Sequence, residues 1–152
     1  MFVFRITKSA YAKDLTGTGA KLHGGRWNSK GIPIVYTSET RALATLELLA
    51  HIPYPSVPND FVLITMEIPD QLTFQSISTE LLPHNWFAFP HSESTRSIGN
   101  KWFNSGESVL LRVPSAIIKD EHNFLLNPMH PDFKFVNIVE KEPFEMDKRI
   151  LW

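Results

Sequence analysis

His23-Gly24-Gly25-Arg26-Trp27-Asn28 places a glycine pair, a fixed cation and two aromatic rings side by side, with Tyr36 and Glu47 following within two dozen residues. A guanidinium binds phosphate oxygens as a two-pronged fork, and adjacent glycines let a ligand approach backbone donors closely. A tyrosine ring can stack on a flat heterocycle, and a carboxylate can stabilise positive charge that develops on a sugar carbon. Together these residue types suit an anionic, ring-bearing substrate. The plainer reading is that Gly24-Gly25 and Asn28 to Gly31 are turn residues between short strands.

Each side chain has a similar pair of readings. Glu47 follows Leu43 by four residues and precedes Ala50 by three, so on a helix it shares a face with apolar neighbours. It must then face a cavity or be held by hydrogen bonds and a cation, unless it sits exposed at the edge of the apolar arc. Arg5 is a second anion-binding candidate or a surface ion-pair partner, and Tyr36 a pocket ring or a core residue. Trp27 reads as scaffold, Asn28 as a turn residue before a ligand, and Ser38 or Ser108 as polar support.

The elements that must carry these groups are short. Phe2–Ile6 reads as a strand, Tyr11–Leu22 as a loop, and Ile32–Thr37 as a buried β-branched strand. Ser38 is placed to cap a helix over Glu39–His51, which is apolar nearly all round and is expected to be buried. Phe61–Ile68 alternates like a strand, and Leu72–Ile77 is expected to pair with it across Pro69-Asp70. A short helix is expected near Ser92–Phe103, a hairpin from Ser108–Val113 and Asn123–Leu126, and a last strand at Phe133–Val139. Residues 141–152 read as a charged, aromatic C-terminal arm.

The 152 residues are 43% hydrophobic and 20% charged, values that fit one globular domain spanning 1–152. A formal net charge of -1 argues against nucleic acid as a direct partner. There is no cysteine, which removes disulfides, thiolate metal sites and a cysteine nucleophile and suits a reducing compartment. The apolar start is too brief for a signal peptide or a membrane span, so a cytoplasmic location without membrane attachment is expected. None of the six histidines pairs at ligand spacing, so no metal is expected. Neither a Gly-x-Ser-x-Gly elbow nor a dinucleotide-binding glycine fingerprint is present.

The string Gly17-Thr18-Gly19-Ala20, Gly24-Gly25-Arg26-Trp27-Asn28, Gly31, Val35-Tyr36-Thr37-Ser38, Ala42-Leu43-Ala44 and Glu47 resembles the RES domain family, the toxins of RES-Xre toxin–antitoxin modules. Trp102, Ser105-Gly106, Ser108, Leu111, Val113-Pro114-Ser115, Asn123, Asn127-Pro128 and His130-Pro131-Asp132-Phe133 look like that family's closing motif. The likeness covers nearly the whole chain, and Leu82–Lys101 carries no family signal. The resemblance implies an α/β (α+β) domain of mixed, twisted β-sheet with a few helices, similar to the ADP-ribosyltransferase fold. It implies NAD+ as substrate, degraded by hydrolysis or phosphorolysis of the nicotinamide–ribose bond, with no prosthetic group and no metal. Glu47 would be the catalytic acid, Arg26 an NAD+ contact and Tyr36 a ring beside the nicotinamide. Arg5, Gly25, Asn28 and Ser108 would complete the binding set. A helix-turn-helix antitoxin of the Xre type would cover the active site, with a homodimer inside a larger toxin–antitoxin complex. A protein ADP-ribosyltransferase and a non-catalytic nucleotide- or antitoxin-binding module stay open as alternatives.

Overall fold

The computed structural model describes residues 1–53 and 59–150. Strands at Phe2–Lys8 (β1), Val35–Ser38 (β2), Phe61–Glu67 (β3), Phe74–Ser76 (β4), Leu110–Pro114 (β5), His122–Leu126 (β6) and Asn137–Pro143 (β7) form a single sheet. Its order is β4-β5-β6-β2-β1-β3-β7. Every neighbouring pair is antiparallel except β4 and β5, so the sheet is mixed, as expected. Helices at Thr18–His23 (α1), Arg41–His51 (α2) and Glu93–Ser105 (α3) complete this α+β domain.

Successive side chains of a strand point to opposite faces, so each central strand feeds two apolar layers. Leu110, Phe124, Val35, Val3, Ile64 and Met66 pack on one face. Leu111, Val113 and Leu125 pack on the other with Trp27, Trp86 and Trp102. Trp27 is therefore scaffold.

One irregularity matters for function. β1 and β2 share a single register pair, Phe4 with Ser38, whereas β1 and β3 share seven. Beyond that pair the two strands part, and the sheet opens into a cleft.

Several sequence expectations are corrected. Residues 11–22 are not all loop, because Gly17 in the left-handed region (φ 71°) turns the chain into α1. The strand over Ile32–Thr37 begins only at Val35, past Pro33, which has no N–H to give a ladder. Ser38 does not cap α2; it ends β2, and Thr40 Oγ1 accepts the capping bond from Leu43 N at 3.0 Å. Glu39 precedes the helix and accepts from His122 N at 2.7 Å. Only Leu43 and Ala44 of α2 are buried, since Arg41, Ala42 and Leu46 on its outer side are exposed to solvent and Glu47, Leu48 and His51 face the cleft. The segment 72–77 does not pair with β3: β4 runs parallel to β5 at the far edge of the sheet. Residues 131–135 form a tight 3-10 turn, so the last strand starts at Asn137. Residues 141–143 of the expected arm belong to that strand, and 151–152 lie outside the described residues.

Candidate active site

The cleft between β1 and β2 encloses about 820 Å³ and is lined by Arg5, Gly25, Arg26, Tyr36 and Glu47 together. Volume of this order suits a ligand of several rings. Residues 44, 47, 48 and 51 of α2 all line it, at the i, i+3, i+4, i+7 spacing of one helical stripe. The stripe carrying Glu47 therefore faces a cavity, while Ala42 and Leu46, away from it, are exposed to solvent.

Glu47 is held on one oxygen. Its Oε1 accepts from Asn123 Nδ2 on β6 and from Ser115 Oγ, the latter at 3.3 Å. Asn123 Oδ1 in turn accepts from Ser38 Oγ at 2.7 Å. The Ser115 hydroxyl also accepts from the backbone N–H groups of Ile117 and Ile118 at 3.1 and 3.2 Å. Oε2 accepts no hydrogen bond among the described residues, so one oxygen is anchored and the other is available to a ligand.

Arg26 enters from the loop after α1. Its Nη1 donates to the backbone carbonyls of Trp86 at 2.7 Å and Ala88 at 3.1 Å, which uses one prong of the fork and leaves Nη2 and Nε uncommitted among the described residues. Burial pulls the guanidinium below its ordinary pKa, while the Glu47 carboxylate and Tyr36 oppose that shift.

Tyr36 stands at the centre of a small network. Its hydroxyl donates to Asn28 Oδ1 at 2.7 Å and accepts from Trp27 N at 3.1 Å. Burial, the dominant cause, pushes the phenol well above its ordinary pKa of 10.0, so it remains a neutral donor. Gly25 fits this network by size: a Cβ there would lie 2.7 Å from the Tyr36 hydroxyl and 2.9 Å from Asn28 Oδ1. The left-handed backbone belongs to Gly24 instead, at φ 73°.

The remaining sequence candidates divide. Arg5 lies on the cleft wall, with Nη1 donating to the Asp14 carbonyl at 2.8 Å and burial lowering its pKa. Asn28 does not line this cleft. It is fully buried and its Nδ2 donates to the carbonyls of Ala20, Ser29 and Ile32, which locks the loop that carries Arg26. Ser108 does not line it either: its hydroxyl accepts from Trp102 Nε1 at 3.0 Å and donates to the Leu110 carbonyl at 2.9 Å inside the core. Both corrections have one cause, a buried polar side chain satisfied by the backbone around it.

Sequence reading missed four contributors. Asn123 and Ser115 stand in the closing motif, yet nothing local shows that they meet Glu47. Phe87 and Phe89 line the cleft from the stretch that carried no family signal, and Phe89 is 82% exposed. The aromatic density of Trp86-Phe87-Ala88-Phe89 is the signal that could have marked it. Among the described residues no group of three His, Asp or Glu side chains could hold a metal ion, and no helix is long and apolar enough to cross a membrane.

Comparison with known proteins bears on what this cleft does. Residues 2–147 match the RES domain. The chain is 42% identical to Toxin Res of Photorhabdus laumondii, over 99% of this chain and 97% of that protein. It is 39% identical to the Prs ADP-ribosylating toxin of a Sphingobium species, over 92% of this chain and 88% of that one. Among solved structures, the M. tuberculosis MbcT-MbcA toxin–antitoxin complex contains a chain that superposes with a TM-score of 0.77 at 16% identity, covering 94% of this chain and 83% of that chain. That likeness is one of fold.

Proposed function

The chain belongs to the RES domain family, and from that membership and the cleft we propose that it is the toxin of a toxin–antitoxin module and consumes NAD+ by breaking the nicotinamide–ribose bond. The observation that carries this reading is the arrangement of Glu47, one oxygen anchored by Asn123 and Ser115 and the other free, in a cleft shared with Arg5 and Arg26.

In this reading the two arginines hold the dinucleotide's phosphates, Arg26 through the donors left free by the Trp86 and Ala88 carbonyls. Three of the aromatic residues that line the cleft, Tyr36, Phe87 and Phe89, offer surfaces for the rings. As the bond from the ribose C1′ to the nicotinamide nitrogen breaks, its electron pair leaves with nicotinamide, and positive charge spreads over C1′ and the ring oxygen. The free oxygen of Glu47 stabilises that charge or holds a ribose hydroxyl. A water or phosphate oxygen then bonds to C1′, and with water one proton is released. The anchoring bonds matter because a carboxylate fixed before the reaction need not reorganise during it.

The Sphingobium relative's name favours a second outcome from the same cleavage, transfer of ADP-ribose to a protein. An antitoxin of the Xre type would restrain either activity by covering the cleft, and the exposed Phe89 at its mouth gives such a partner an apolar contact. Incubating the purified protein with NAD+, with and without phosphate and with and without lysate protein, separates the outcomes. Nicotinamide release with free ADP-ribose means hydrolysis, phosphate-dependent release means phosphorolysis, and label on protein means transfer. No nicotinamide release under any of these conditions would overturn the reading.

A further inference from the structure

A second cavity of about 500 Å³ adjoins the cleft, sharing Gly24, Gly25, Phe89 and His91 with it. Its own wall carries two fixed cations, Lys30 and Arg96, and two imidazoles, His23 and His91, with no carboxylate lining it. Apart from the Arg96–Glu93 ion pair at its edge the lining carries one sign of charge, so an anion entering the cavity is attracted.

The arrangement is built. Asn100 fixes the floor by exchanging two bonds with Ser29, Oδ1 accepting from its N at 2.9 Å and Nδ2 donating to its Oγ at 2.7 Å. Arg96 is tethered at its base, Nε donating to the Gly25 carbonyl at 3.4 Å and Nη1 to the exposed Glu93 at 3.2 Å, while Nη2 donates to no group among the described residues. The Nδ1 of His91 is buried and has no hydrogen-bond partner among the described residues. A Cβ on Gly24 would lie 3.7 Å from Cγ of Lys30, so the lysine stem runs beside that glycine.

We propose that this cavity is an oxyanion subsite, which takes a phosphate group through Arg96, Lys30 and the histidines beside the Gly24-Gly25 edge of the cleft. The identity of the phosphate rests on the function proposed above: it is either part of the dinucleotide's diphosphate, shared with Arg5 and Arg26 of the adjoining cleft, or free inorganic phosphate. The chemistry is the same, and the source is what an experiment must separate.

Binding is measured without turnover, by titrating inorganic phosphate and, separately, ADP-ribose into isotope-labelled protein and following the amide signals of Gly24, Gly25 and Ser29. If inorganic phosphate moves these signals and the Arg96→Gln, Lys30→Gln double variant binds it about tenfold or more weakly, the subsite holds free phosphate. If only ADP-ribose does so, and the double variant weakens it by a similar factor, the subsite serves the dinucleotide. Lys30 is exposed, so Lys30→Gln alone keeps the fold and should weaken the same ligand about threefold. If neither ligand moves these signals, or if the variants bind as tightly as the native chain, the subsite is overturned. Anion binding without any NAD+ consumption would overturn the proposed function and leave the subsite standing.

Discussion

Asn123 donates from Nδ2 to Oε1 of Glu47 across the cleft floor, tying the middle of α2 to a strand 76 residues away in sequence. The same amide is fixed from behind by Ser38, so the carboxylate inherits its position from two neighbouring strands. Asn123→Ala should therefore lower kcat for NAD+ consumption by roughly tenfold or more, since a misplaced catalytic group costs rate steeply. KM should change little, because Arg5 and Arg26 are untouched. A change confined to KM would show that Asn123 does not position Glu47.

Glu47→Gln keeps the shape of the side chain and removes its charge. It should leave the thermal midpoint within a few degrees of the native value while removing most nicotinamide release, a loss of roughly a hundredfold or more. Release at the native rate would mean that some other group stabilises the developing charge.

How far the site could be read from sequence depended on how local its signals are. β1, β3 and the β5–β6 hairpin follow from apolar runs or alternation over a few positions, and the structure has them, whereas the short helix expected near Ser92–Phe103 lies in the stretch hardest to read and runs as α3 over Glu93–Ser105. The cavity-facing place of Glu47 was legible as well, because one carboxylate on an apolar helix admits few alternatives. The partner of β4 was not legible, since a three-residue strand can pair at either edge and only the complete sheet decides. Ser38 and Thr40 are equally good caps in isolation; the ladder to β6 extends through Ser38 and leaves the cap to Thr40. The segment that holds Arg26 stayed silent because it acts through the Trp86 and Ala88 carbonyls, and a backbone carbonyl leaves no mark on residue type.

Arg26→Ala should weaken NAD+ binding by roughly 1.5 to 3 kcal/mol, the usual worth of a hydrogen bond to a charged group. It also leaves two carbonyls of the 86–88 loop without their donor, so that loop should become more open to amide exchange. Calorimetry and hydrogen exchange on the same variant test both. Unchanged affinity with a loosened loop would confine Arg26 to structure.

His91 gives the fold an acid-side weakness. Burial first, then Arg26, Arg96 and His51, hold its pKa below the ordinary 6.5. The unfolded chain therefore binds a proton at His91 more readily than the native one does. Its stabilising contribution is complete above about pH 6.5 and is lost as pH falls further. The thermal midpoint should drop between pH 7.5 and 5.5, and His91→Asn should flatten that slope. A slope unaltered in the variant would assign the acid sensitivity to other groups.

Two glycines in the same cleft should respond to alanine with opposite signs. Gly19 lies inside α1, a Cβ there meets nothing within 4 Å, and alanine is the better helix former, so Gly19→Ala should stabilise by roughly 0.5 to 1 kcal/mol. Gly25 has no such room. A Cβ there would meet the Tyr36 hydroxyl at 2.7 Å and Asn28 Oδ1 at 2.9 Å, the two atoms that bond to each other and lock the Arg26 loop. Neither atom ends a flexible chain, since the phenol is held by Trp27 N and the amide by three carbonyls. Relief must come from moving the loop or parting the Tyr36–Asn28 pair, so Gly25→Ala should destabilise by roughly 1 to 3 kcal/mol. Because the loop carries Arg26, NAD+ affinity should fall as well. Denaturant midpoints of the two variants, measured side by side, test the contrast: a Gly25→Ala protein as stable as the native chain would show that this network can yield without cost.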